Sequence, residues 1–244
     1  MYGLSLSSGG IRGIAFLPFL EFLQNYSFNA YGGTSIGSFF ASYLAFEKEI
    51  REIKKKLKQV SIAKLFHLRK PFLNLDYLLN FAFSNEKLRE ARKDLIIVAS
   101  LVKEELKPYY FTSFEHGKNF RVKQALKASM AVPFLVGPYK IKNKAFVDGA
   151  LVEPFPLFKF KETKIKKLLI LDVNTSSKDH FSLHYSFISF LSSLLMKQFK
   201  KRSKIKTLWV RIYFPKTKLN FLSYYKVGLK ALKENKKKIE KFLD

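Results

Sequence analysis

The chain has 244 residues, 48% of them hydrophobic, with 26 phenylalanines, no cysteine and a formal net charge of +26. It is long enough to bury a sizeable core as one α/β domain, and the missing cysteine excludes disulfide scaffolds, thiol nucleophiles and thiolate metal sites. The charge would attract any polyanion, whether nucleic acid, an anionic membrane surface or an acidic protein.

In chain order, "YGLSLS" alternates and predicts a first strand. "GIAFLPFLEFLQNY" follows with helical period, Pro18 falling near its first turn, where proline is tolerated. "FNAY" predicts a short second strand, and "IGSFFASYLAFEKEIREIKKKLKQV" a helix that starts buried and ends amphipathic. From Ser61 to Arg92 the pattern is poorer. There "KLFHLRKPFLNLDYLLNFAF", broken by Pro71, suggests two short helices, as core or as an apolar lid. "DLIIVASLV" and "KPYYFTSF" predict a strand hairpin, and "NFRVKQALKASM" a helix. "NKAFVDGALVEPFPLFKF" predicts a strand, a tight turn at Asp148-Gly149-Ala150 and a proline-punctuated loop. "KKLLILDVN" and "KTLWVRIYF" predict buried strands. Between them "FSLHYSFISFLSSLLM" reads as a buried helix, shorter than the roughly 18 apolar residues that span a bilayer. The chain closes on the amphipathic "YYKVGLKALKENKKKIEKFL". Strands alternating with helices predict an α/β fold, with a largely parallel central sheet covered by helices on both faces.

Neither a linker nor a fixed-period repeat divides the sequence, so one domain over residues 1–244 is expected, with its last strand and helix over 207–243. Lysines gather in helix-like segments such as "KQFKKRSKIK", which are ordinarily solvated faces, a membrane-facing surface being the alternative. "MYGLSLSSGG" has no charged and then apolar leader, so a cytoplasmic location is expected. Of the four histidines, His67 and His116 are isolated, and His180 and His184 stand at i and i+4 without a third ligand. No metal site is expected.

Three segments carry chemistry. In "SSGGIRG", Ser8 to Gly13 join the first strand to the first helix, and such a turn exposes N–H groups able to cradle a phosphate or an oxyanion. A dinucleotide fingerprint fails here because its first glycine would fall on Ser8 and no acidic residue follows the second strand. A P-loop fails because no Gly-Lys-Ser/Thr closes the turn. In "YGGTSIGSFF", Ser35 stands between Gly33 and Gly37 as G-x-S-x-G, a pattern that sets serine on a strand-to-helix elbow. In "VDGA", Asp148 ends a strand and Gly149 follows. A serine needs a base, and no histidine follows the last strand. A direct Ser-Asp dyad remains, in which a carboxylate of raised pKa accepts the hydroxyl proton. Each segment also has an ordinary structural reading: Ser35 and Asp148 as turn formers, "SSGGIRG" as a cap.

Together, in this order, the three segments and "ASMAVPFLVGPYKI" upstream of Asp148 resemble the patatin-like phospholipases, bacterial relatives of plant patatin and of cytosolic phospholipase A2. The resemblance spans at least Tyr2 to Leu157, within a motif-bearing core over 2–173. It implies Ser35 as nucleophile, Asp148 as general base, and the N–H groups of Gly9, Gly10, Ile11 and Arg12 as the oxyanion hole. Gly13, Gly33, Gly37 and Gly149 are the supporting motif glycines, and Arg12 would stiffen the loop or meet a lipid phosphate. It further implies phospholipid or lysophospholipid ester hydrolysis without metal or cofactor. The cationic surface would favour peripheral contact with an anionic membrane, at its inner face, and a nucleic-acid role lacks any recognisable module. Ser8 departs from the family's first glycine, Pro154 from a common asparagine, and Glu153 adds a carboxylate near the site. Acyl transfer to another alcohol would use the same residues. A catalytically idle lipid-binding or membrane-surface protein would keep the fold.

Overall fold

The computed structural model describes residues 1–59, 66–67, 70–73, 75–115, 117–176, 183–215 and 220–244. Its main sheet is built from β1 (Tyr2–Leu6), β2 (Ala30–Thr34), β5 (Asp94–Val102), β6 (Lys107–Thr112), β7 (Tyr139–Ile141), β8 (Lys144–Asp148), β9 (Lys167–Ser176) and β10 (Lys206–Phe214), while β3 (Phe66–His67) and β4 (Lys70–Leu73) pair apart from it. The order is β10-β9-β1-β2-β5-β8-β7, with β6 also on β5. β10, β9, β1, β2 and β5 are parallel, and β6, β7 and β8 join antiparallel. This is the mostly parallel α/β architecture that the alternation predicts.

Strand alternation sorts the core into two layers. In β9, Leu168 and Ile170 point toward Phe155, Phe160, Met196 and Phe199, whereas Leu169, Leu171 and Val173 join the larger cluster on the other face. That larger side is covered by α1 (Leu17–Leu23), α2 (Ile36–Ala45), α3 (Ile50–Gln59), α4 (Leu75–Leu79), α5 (Val122–Ser129) and α7 (Phe221–Leu243). The other face is covered by α6 (Leu183–Arg202) and the segment from Phe155 to Ile165. Pro18 sits in the first turn of α1, where its missing N–H costs nothing.

Four expectations change. The helix expected over residues 36–60 is, in its described part, two helices, because Glu47 adopts φ 54° and the Lys48 N–H turns back to the Tyr43 carbonyl. β2 runs through the elbow glycines rather than stopping at Tyr31. Of the apolar segment before β5, residues 66–67 and 70–73 form the β3–β4 ladder rather than a helix, and Leu75, Leu78, Leu79 and Phe83 are buried. A lid role for Phe72 and Leu73 falls on side chains outside the described residues. Finally, α6 is not buried all round, since Phe187 and Phe190 are exposed.

Candidate active site

The site arises where two strands stop head to head on a third. β2 runs parallel to β5 and ends with Thr34 opposite Val98. β8 runs antiparallel to β5 and ends with Asp148 opposite Ala99. β6 occupies the other edge of β5 along both stretches, so β2 and β8 share one edge and meet at adjacent residues. The residue following β2 is Ser35, and Asp148 is the last residue of β8. Their side chains meet although 113 positions separate them: the Ser35 hydroxyl donates to Asp148 Oδ2 at 2.6 Å.

Ser35 is held in an unfavourable backbone. Its φ of 54° and ψ of −125° lie outside the regions that non-glycine residues populate, at a cost of about 1–3 kcal/mol. Its surroundings fix it there. Its N–H donates to Ser129 Oγ at 2.9 Å, and its carbonyl accepts from the Ser38 hydroxyl and from the N–H groups of Ser38 and Phe39. The flanking glycines are required by close approach: a Cβ on Gly33 would lie 2.2 Å from the Gly37 carbonyl oxygen, and one on Gly37 2.3 Å from that of Leu6. Gly13 packs against Ile36 and Gly149 against the Val98 carbonyl in the same manner.

Asp148 is 4% exposed. Burial raises its carboxyl to about 6, against the Ser35 hydroxyl and the Ala150 N–H, which favour the charged form. Ala150 N–H donates to Oδ1 at 2.8 Å, leaving Oδ2 for Ser35. The strand itself is fixed by Asp148 N–H to the Ala131 carbonyl and by the Ser100 hydroxyl to the Asp148 carbonyl. The Ser35 hydroxyl meets the Asp148 carboxylate directly. All four histidine side chains, including the His180 and His184 pair, lie outside the described side chains.

The glycine-rich turn occupies the adjacent strand end, after β1. It is a 3-10 turn over Gly10–Phe16, with φ 149° at Gly9 and 54° at Gly10. Arg12 N–H closes the turn on the Gly9 carbonyl at 3.1 Å, so among the expected donors the N–H groups of Gly9, Gly10 and Ile11 are those not taken up in the turn. The Arg12 guanidinium reaches the Thr175 carbonyl at 3.4 Å and lies 4.8 Å from the centre of the Phe214 ring, bracing the ends of β9 and β10.

Ser8 is accommodated because it has no positive φ, and its N–H donates to the carbonyl of Pro154, so the two departures from the family pattern hold each other. Asn174 Nδ2 donates to Ser8 Oγ, and Ser7 Oγ accepts from Val173 N–H. Below them the buried Asp172 accepts from Asn174 N–H and Trp209 Nε1, and burial raises its carboxyl pKa. The Glu153 carboxylate is engaged by the loop that follows it and by β6. It accepts from Tyr110 Oη at 2.5 Å and from the N–H groups of Leu157 and Phe158, so it shapes the proline loop. Glu153→Ala would strand those N–H groups and is expected to lower stability by about 2–4 kcal/mol, read from thermal unfolding. Ser129, Ser100 and Asn174 were not singled out in the sequence. The "ASM" of the Ser129 segment was the only signal available.

A serine, an adjacent carboxylate and a turn of N–H groups at neighbouring strand ends suit acyl transfer through a covalent intermediate. A family model described as "Patatin-like phospholipase" matches residues 4–160. Over 196 residues, 73% of the chain, the sequence is 24% identical to "Lysophospholipase NTE1" of Cryptococcus neoformans var. neoformans serotype D. Over 166 residues, 63% of the chain, it is 27% identical to an uncharacterized NTE family protein of Mycobacterium tuberculosis. The chain spans 12% of the first relative and 44% of the second. The structure resembles VipD from Legionella pneumophila, with a TM-score of 0.57 and 16% identity, covering 96% of this chain and 67% of that one. It also resembles the type III effector protein ExoU, with a TM-score of 0.54 and 12% identity, covering 99% and 52%. These two likenesses concern the fold.

Proposed function

The chain belongs to the patatin-like phospholipase family, and from that premise we propose that it is a serine acyl hydrolase of phospholipids or lysophospholipids working through Ser35 and Asp148. Asp148 takes the hydroxyl proton as Ser35 Oγ attacks the ester carbonyl. The oxyanion then forms beside the N–H groups of Gly9, Gly10 and Ile11. The leaving alcohol departs with the proton held by Asp148, and acyl-Ser35 remains. Asp148 next deprotonates a water, which attacks the acyl-enzyme and frees the fatty acid. The observation that carries this reading is the 2.6 Å hydrogen bond between Ser35 and Asp148, joining a strained elbow to a buried carboxylate.

The base must be ionised to act, so the raised pKa of Asp148 gives the reaction an acid limb. On a p-nitrophenyl ester, log kcat/KM is expected to climb with unit slope as pH rises and to level off above an apparent pKa of about 6. A flat profile between pH 4 and 8 would contradict Asp148 as the base. The functional test is turnover of a short p-nitrophenyl ester and of a panel of phospholipids and lysophospholipids. Release of free fatty acid supports hydrolysis, and transfer of the acyl group to an added alcohol with no fatty acid release would make the protein an acyltransferase. No turnover on any of these substrates would remove the hydrolase reading.

A further inference from the structure

We propose that the end of the sheet carrying Ser35, at the carboxyl ends of its parallel strands, is a bilayer-docking face, which sets the site against the headgroup region of an anionic membrane, with Phe134, Leu135, Phe187 and Phe190 entering the acyl-chain boundary. The inference rests on the lipid-hydrolase reading for its purpose, but its geometry stands on separate observations. The parallel strands β1, β2, β9 and β10 all finish at this end of the sheet, so every segment leaving them starts there.

Large apolar side chains left exposed on a soluble surface collect on those segments. Ile11 lies in the turn after β1. Phe187 and Phe190 lie in the first turns of α6, which follows β9, and Leu222 in the first turn of α7, which follows β10. Phe134 and Leu135 follow Ser129 and Ala131, the residues bonded to the Ser35 and Asp148 backbones. Phe134 is 96% exposed and has φ 67°, an arrangement unfavourable both for a bulky side chain in that backbone region and for its contact with water. The turn is fixed by bonds from the Leu135 and Val136 N–H groups to the Val132 carbonyl, so the ring is held at its apex.

The occupant follows from charge. Exposed Lys140, Lys142 and Lys144 belong to the β7–β8 hairpin, which stands at this same end of the sheet because β8 runs down onto the site, and exposed Lys226 follows Leu222 one turn later on α7. Apolar tips among lysines match the boundary between acyl chains and anionic headgroups. A second copy of a chain with net charge +26 would be repelled at the same surface. Among the described residues no helix is long and apolar enough to cross a membrane.

The test uses the full chain carrying Ser35→Ala, so that vesicles stay intact and binding is read apart from turnover. With vesicles of phosphatidylglycerol and phosphatidylcholine, sedimentation is expected to weaken about tenfold or more for each of Phe134→Ser and Phe190→Ser, at unchanged melting temperature. Added salt is expected to weaken the parent as well. A tryptophan at position 134 (Phe134→Trp) should shift to the blue and be quenched by brominated acyl chains. Absent binding, unaltered binding by both serine variants, an unquenched tryptophan, or a Phe134-dependent dimer without vesicle binding would each overturn the docking face. If the vesicle results hold while the native protein hydrolyses no lipid, the function is wrong and the docking face survives.

Discussion

Ser35→Ala is expected to lower ester hydrolysis by about 10⁴-fold or more while leaving the protein folded, because it removes the atom proposed as nucleophile and leaves the elbow backbone in place. Asp148→Asn is expected to do comparable damage by a different route. The amide keeps the shape of the side chain and an acceptor for Ala150 N–H, but it has no useful affinity for the serine proton. The double variant is expected to lose little beyond either single one, since the two groups act as a unit. Stability separates chemistry from folding. The carboxyl of Asp148 is raised from the ordinary 3.8 to about 6 by burial, so the folded state binds this proton more tightly than the unfolded one. This group therefore favours folding at acid pH and loses that contribution as pH rises from about 4 to 6, leaving a buried charge that opposes folding at neutral pH. Asp148→Asn removes that charge and is expected to raise stability at pH 7.5 by about 1–3 kcal/mol. A variant both inactive and less stable than the native chain would point to a structural role for the carboxylate instead.

The largest expected loss of stability is that of Gly37→Ala. The added Cβ would stand 2.3 Å from the Leu6 carbonyl oxygen and 2.5 Å from that of Ser7, and both neighbours are backbone. Neither can turn aside as a side-chain tip would. The start of α2 must therefore move off β1, which takes Ser35 away from the glycine-rich turn as well. A cost of about 3–5 kcal/mol is expected, corresponding to roughly 10 °C or more in melting temperature for a chain of this size. Gly10→Ala is the contrasting case. Its Cβ meets nothing within 4 Å, so only the φ of 54° opposes it and the cost should be about 1–2 kcal/mol. Equal losses for the two variants would show that close packing is not what selects glycine at position 37.

The sequence made the two strand-turn-helix units legible because their signals are local: the alternation of "YGLSLS", the glycines around Ser35, and the helical periods that follow. The parallel strands followed from that alternation. What local pattern could not show was the meeting of Ser35 with Asp148, which depends on β2 and β8 ending at adjacent residues of β5. Register across 113 positions is a tertiary fact. The break at Glu47 carries no glycine or proline to announce it, so the local pattern there is that of a continuous helix. The apolar run around Pro71 fits a short strand as well as a short helix, and pairing, not period, decided for the β3–β4 ladder. Composition alone also misread α6, because Phe187 and Phe190 count as core material until the neighbouring elements are in place.

The most direct test of the central claim is covalent labelling of the native protein by a fluorophosphonate, which reacts with an activated serine, followed by mass spectrometry of the modified peptide. Modification on Ser35 is predicted, absent in Ser35→Ala and strongly slowed in Asp148→Asn. An unlabelled native protein, a label on another serine, or equal labelling of the native chain and Asp148→Asn would contradict a nucleophile activated by this carboxylate.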